Sequence, residues 1–103
     1  NKIYYLGVIT MTFSEILNAS KTALYLTGKD AYIREYDICT HCKKSDFTKL
    51  IANRNNFSVH VGKSVAPKYA KIINRLGFVL KGKADYSYDE YILYYERLTF
   101  AGI

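Results

Sequence analysis

The chain has 103 residues, half of them hydrophobic, with one proline and a net charge of +6. That length suits a single domain, residues 1–103, burying about two-thirds of its unfolded surface. The aromatic content excludes a disordered chain. Runs such as IYYLGVI fall far short of the ~20 apolar residues of a membrane helix, and no charged-then-apolar leader pattern is visible. Two cysteines are too few for a secreted disulfide scaffold. The expectation is a cytoplasmic protein that does not engage a membrane.

Residues 3–10, IYYLGVIT, are β-branched and aromatic and read as a strand. Thr12 and Glu15 make the S/T-x-x-E pattern of a capping box. Phe13, Ile16, Leu17, Ser20, Ala23 and Leu24 then recur at helical spacing, so a helix is expected up to Gly28 as its C′ residue. Residues 31–38, AYIREYDI, return to a strand. Ser45 is placed to cap a short helix through Phe47, Leu50 and Ile51, and residues 53–56 read as a turn.

Phe57, Val59 and Val61 alternate with Ser58 and His60, a strand with one inward and one polar face. From Val65 to Leu76, Ala66, Tyr69, Ala70 and Ile73 line one side of a helix, and Lys68, Lys71 and Arg75 line the other. Pro67 is tolerated in the first turn, and Gly77 ends the helix. Phe78 starts another strand, the charged loop DYSYDE follows, and Tyr91, Leu93 and Tyr95 alternate with Ile92 and Tyr94 in the last strand. The expected order is β-α-β-α-β-α-β-β. It implies an α/β fold, a small mixed β-sheet with helices packed on it, whose final two strands form an antiparallel edge. Val59, Val61, Tyr69, Ile73, Phe78, Leu93 and Tyr95 are the expected core.

The charge is uneven. Residues 1–42 are balanced, residues 43–83 carry ten bases against Asp46 alone, and residues 84–103 are acidic. A middle third this basic attracts phosphates or acidic surfaces, although a lysine-rich surface also serves solubility. Within it, Lys68, Lys71 and Arg75 are the candidate anion-binding residues, with Lys63 extending the patch toward the helix start.

Gly62-Lys63-Ser64 follows a strand and opens a helix, as the tail of a P-loop does. The first glycine of G-x-x-x-x-G-K-[ST] falls at Phe57, so the triphosphate cradle is incomplete. A smaller anion site remains at Gly62, Lys63 and Ser64, beside the reading of Ser64 as an ordinary helix cap. Cys39-Thr40-His41-Cys42 suits a redox dithiol or a metal half-site. Zinc takes four ligands and only His41 and His60 are at hand, so ordinary thiols at a strand end, and no metal, are expected. Asp85, Asp89, Glu90 and Glu96 are paired with no nucleophile, and no H-E-x-x-H, G-x-S-x-G or kinase signature is present. Five of the eleven tyrosines, Tyr86, Tyr88, Tyr91, Tyr94 and Tyr95, crowd the last strands. Interleaved with bases they would stack on nucleobases. Lying in the acidic third, they read as core plus an interface through which the chain forms a homo-oligomer.

The segment from Phe57 to Arg97, with its helix end NRLGFVLKG, resembles the C-terminal segment of the GNAT superfamily of N-acetyltransferases. The resemblance implies a GNAT-like fold and acetyl-coenzyme A as cofactor. It implies binding where two neighbouring strands splay apart, with the pyrophosphate on a glycine-rich loop that opens a helix. Transfer of the acetyl group to an amine would follow. Small phage-type members of that superfamily are similar in length and layout. The family's R/Q-x-x-G-x-G/A loop has no counterpart here; Leu26-Thr27-Gly28-Lys29-Asp30-Ala31 is the nearest glycine segment. The family's general-acid tyrosine, four residues ahead of the glycine, is replaced by Ile73, with Tyr69 one turn earlier. Two functions therefore stand side by side. One is a GNAT-like N-acetyltransferase or a catalytically reduced accessory protein. The other is a non-enzymatic basic protein that docks nucleic acid or an acidic protein surface through residues 43–83.

Overall fold

A computed structural model describes residues 8–98. Of the strand expected over 3–10, residues 3–7 lie outside the described residues, and Ile9–Thr10 forms β1. The elements then run α1 (Phe13–Ala19), β2 (Thr22–Tyr25), β3 (Ala31–Glu35), β4 (Ile38–Cys42), a 3-10 turn (Lys44–Asp46), α2 (Thr48–Ile51), β5 (Asn56–Gly62), α3 (Ala66–Arg75), β6 (Phe78–Ser87) and β7 (Glu90–Arg97). The seven described strands form one mixed sheet in the order β1-β6-β7-β5-β2-β3-β4, with β1 parallel to β6 and β2 parallel to β5.

The expected capping box is present. Thr12 Oγ1 accepts the Glu15 N–H at 3.1 Å, and Glu15 Oε1 accepts the Thr12 N–H at 2.8 Å. The first helix is shorter than expected. Ser20 leaves the helix in an extended conformation, and its hydroxyl accepts the Thr22 N–H at 3.1 Å, the local competition by which serine ends helices. Thr22, Leu24 and Leu26 then turn inward while Ala23 and Tyr25 alternate with them, a strand period. Gly28 therefore sits in the β2–β3 connection and caps no helix.

The strand expected over 31–38 is a hairpin. Glu35 pairs with Ile38, and the chain reverses through Tyr36, held at φ 56, and Asp37. Ser45 caps nothing; the short helix opens at Phe47 with no side-chain cap. Ser58 and His60 are buried, because β5 lies inside the sheet with both of its faces covered.

The final hairpin is not an edge. β7 runs between β5 and β6, and β6 takes β1 as its other neighbour. Both edges of β7 are thus occupied, and strand pairing between copies through it is not available. Among the described strands the edges are β1 and β4.

Two clusters fill the sheet's two faces. On one, α2 and α3 cover Leu24, Ile33, Phe57, Val59, Val61, Phe78, Leu93 and Tyr95. On the other, Ile16 of α1 meets Ala84, Ile92 and Tyr94. All seven residues expected in the core are buried. Gly77 ends α3 at φ 92, where a side chain is strained. At Gly82 the Met11 thioether packs directly against the backbone, so a Cβ there would force that side chain to move aside.

Candidate functional site

The Gly62–Ser64 junction sits between β5 and α3 as expected, but two of its backbone donors are already in use. The Lys63 N–H donates to the Asp89 carbonyl at 2.8 Å and the Val65 N–H to the Gly62 carbonyl at 3.2 Å. Pro67 has no N–H. Ser64 is exposed, and Val65 takes the N-cap position without a side-chain cap. A phosphate cradle needs several convergent backbone donors, and this junction aims few.

The lysine side chain is directed elsewhere. Lys63 Nζ lies 3.2 Å from Asp85 Oδ1 and 5.0 Å from the Tyr91 ring centroid. Lys83 Nζ sits 4.2 Å from the same ring. Both ammonium groups thus attend one aromatic ring, an arrangement favoured by the ring quadrupole.

Tyr91 lies on the wall of a groove of about 260 Å³ between α3 and the β6–β7 hairpin. Ala66, Pro67 and Ala70 of α3 form one side, Leu80 and Leu93 the other, and Tyr95 also lines it. The Tyr95 hydroxyl is buried and has no hydrogen-bond partner among the described residues. Burial pushes its pKa up to about 12, so it stays protonated and remains a donor. An unpaired buried hydroxyl costs about 1–3 kcal/mol. That oxygen is closed off from the groove as well as from solvent. The chemistry on offer is an apolar slot flanked by the two lysines.

Lys83 was missed by sequence reasoning for a geometric reason. Leu80 pairs with Tyr95 and Gly82 with Tyr94, so Lys81 is bulged out of register. The bulge shifts the strand's phase and brings Leu80 and Lys83 onto the same face. No residue type at 81 signals that. Tyr91 and Tyr95 share a face with Leu93 by simple alternation, which was legible.

Lys68, Lys71 and Arg75 are exposed on the outer side of α3, as their spacing requires. None forms an ion pair among the described residues. Lys68 Nζ lies 5.4 Å from the Tyr69 ring. Tyr69 itself is buried edge-on against Phe47 at 5.4 Å, and Ile73 is fully buried, so both are packing residues. The glycine segment Leu26–Ala31 does follow a strand parallel to β5, but it leads into β3 rather than opening a helix.

The sheet face away from α3 carries a row of rings. His60 stacks on Tyr25 at 4.2 Å, Tyr25 on Tyr32 at 4.5 Å, and Tyr32 on His41 at 5.2 Å. These residues lie opposite one another in register on β5, β2, β3 and β4. Rings stacked at about the 4.8 Å strand spacing must stand on the sheet rather than lie on it. The row therefore shows edges and polar tips to solvent, not faces on which bases stack. At its far end Cys39 Sγ lies 3.6 Å from His41 Nε2. Cys42 points to the opposite face, where its thiol donates to the Lys43 carbonyl. The Cys-x-x-Cys pair is thus splayed across a strand and forms neither a dithiol nor a chelate. Compared with known proteins, the chain matches no family model, no curated protein and no solved structure.

Proposed function

We propose that this protein is a binding protein without chemistry of its own, and that it takes an anionic ligand carrying an apolar arm into the α3 groove. The observation that supports the reading is the apolar groove itself, lined by Ala66, Ala70, Leu80 and Leu93 and flanked by Lys63 and Lys83. The apolar arm lies between Ala66, Ala70, Leu80 and Leu93, and the anion meets the two ammonium groups. A coenzyme A thioester belongs to this ligand class. The GNAT-like reading rests on the β5-α3-β6-β7 segment, which folds with β7 between β5 and β6. Acetyl transfer has less support, since Ile73 stands where the family's acid stands and no glycine loop opens a helix.

The test is titration with acetyl-coenzyme A, read by thermal shift and by tyrosine resonances. Saturable binding that weakens about tenfold in Lys83→Gln, one lost charged contact, supports the reading. Unchanged binding in Lys83→Gln, or none in the parent, removes the groove as the site. Acetylation of an amine acceptor in the same mixture would replace the binding reading with the enzymatic one.

A further inference from the structure

The Cys39–His41 pair has a geometry that the groove does not explain. The two residues are i and i+2 on β4, so both side chains project from one face. Their Sγ and Nε2 atoms are 3.6 Å apart and both residues are exposed. Zinc–sulfur and zinc–nitrogen bonds of ordinary length, set at a tetrahedral angle, place the two ligand atoms about 3.6 Å apart. Stacking on Tyr32 holds the imidazole in that orientation. The pair is half of a tetrahedral site. Among the described residues no third ligand from the same chain joins it.

Among the described residues the strand that carries the pair is an open edge. There β4 pairs with β3 alone, and residues 38–42 contain none of the charges, prolines or bulges that protect edges. Beside the pair, Tyr36 is 74% exposed and Ile38 69% exposed. The two-residue turn makes Glu35 and Ile38 a hydrogen-bonded pair. By alternation, Cys39 and His41 then direct their backbone N–H and C=O groups away from β3, toward the free edge.

We propose that two copies of this chain pair antiparallel through β4 about a two-fold axis at Thr40, and that the pairing completes a Cys2His2 site for one zinc ion. In this register Cys39 lies opposite His41 of the second copy, in both directions, and their outward backbone groups form the hydrogen bonds. Ile38 meets Cys42, and Asp37 meets Lys43, so each end of the interface closes on an opposite-charge pair. Shifting the axis to Cys39 or His41 loses the Asp37–Lys43 pairing. Each Cys39 thiol releases its proton to solvent as its sulfur binds zinc, and each His41 supplies the Nε2 lone pair. Two thiolates balance the dication, and two protons leave per ion.

The experiment uses the whole chain with cobalt(II) as a spectroscopic probe and zinc for mass. Tetrahedral S2N2 ligand-field bands should saturate at half an equivalent of cobalt per chain. Zinc should double the sedimenting mass, and EDTA should reverse it. Cys39→Ser and His41→Ala should abolish both signals, while Cys42→Ser keeps them. Asp37→Lys should weaken zinc-dependent pairing roughly tenfold by turning two cross-strand pairs repulsive, and adding Lys43→Asp should restore it. Saturation at one equivalent on a monomer, doubling that persists in EDTA, or loss of the bands in Cys42→Ser would each overturn the proposal.

Discussion

The sheet's two faces are removed from water by different means. On the α2–α3 face, aliphatic and aromatic side chains from five strands close against two helices, with Phe57 edge-on to Phe78 at 4.8 Å and stacked on Tyr95 at 5.7 Å. On the other face, α1 packs chiefly on β6 and β7. Beyond it the strands β5, β2, β3 and β4 are shielded by rings standing against one another. Aliphatic packing leaves nothing reactive at the surface. The standing rings leave imidazole and hydroxyl groups at the rim, and the row ends in a thiol. Polar chemistry therefore collects where the sheet is under-covered and at the mouth of the α3 groove, not in the main core.

The sharpest test of this contrast is deletion of one isoleucine from each face. Ile73 and Ile16 are both fully buried. Ile73 sits in the large cluster, where surrounding strands hold the cavity open, so Ile73→Ala should cost about 2–5 kcal/mol. Ile16 belongs to a seven-residue helix over a small cluster, and such a helix can settle into the gap. Ile16→Ala should fall at the lower end, about 2 kcal/mol. Denaturant melts measure both, and equal losses would mean that the faces are equally rigid.

A second test uses acid. His60 is buried in the ring row with Nε2 unpaired among the described residues, and burial lowers its pKa from 6.5 to about 4. The unfolded chain binds this proton more readily than the folded one. Stability should therefore be intact above pH 6.5 and fall as pH drops toward 4, by at most about 3 kcal/mol, with no further loss from this residue below that. His60→Phe keeps the stack and removes the titration. Urea midpoints of the variant should be flat across that window apart from the carboxylates' own contribution.

A third, smaller effect concerns the junction that aims α3 at the core. Gly77 at φ 92 turns the chain so that Phe78 enters the main cluster. Gly77→Ala should cost about 1–2 kcal/mol, the left-handed penalty of a Cβ, since nothing else lies near enough to clash.

The α3 region was legible because several local signals agree. Pro67, the helical spacing of apolar residues, Gly77 and the alternation that follows all specify one structure. The N-terminal half was harder. Ser20, Ala23 and Leu24 satisfy a helical period, while Thr22, Leu24 and Leu26 satisfy a strand period over the same residues. Tertiary pairing with β5 decides between them. The β3–β4 hairpin turns through a tyrosine in the left-handed region, without the glycine or asparagine that marks such turns. Missing β4 hid the Cys39–His41 geometry, because which residues share a side depends on the element being a strand. The groove depends on the Lys81 bulge, which only pairing reveals. The open edge at β4 followed from strand order, which local patterns do not carry.

The outer face of α3 should give the smallest stability effect and the clearest separation of ligand classes. Lys68, Lys71 and Arg75 are exposed and touch no carboxylate among the described residues. Replacing all three with glutamine should shift stability by less than about 0.5 kcal/mol, as for surface charges in general. The groove lies on another side of the helix and keeps Lys63 and Lys83. Binding of acetyl-coenzyme A by the triple variant should therefore stay within about twofold of the parent, a difference of ~0.4 kcal/mol. A single-stranded oligonucleotide makes the opposite demand. If the basic face grips a polyanion, the parent binds it with a salt slope near 0.7 per phosphate contacted, and the variant loses up to about three such contacts. A parent that binds the oligonucleotide with that slope, and a variant that does not, would move the functional surface from the groove to the outer face. Equal oligonucleotide behaviour in parent and variant leaves the three cations as a solvated surface, with recognition confined to the groove.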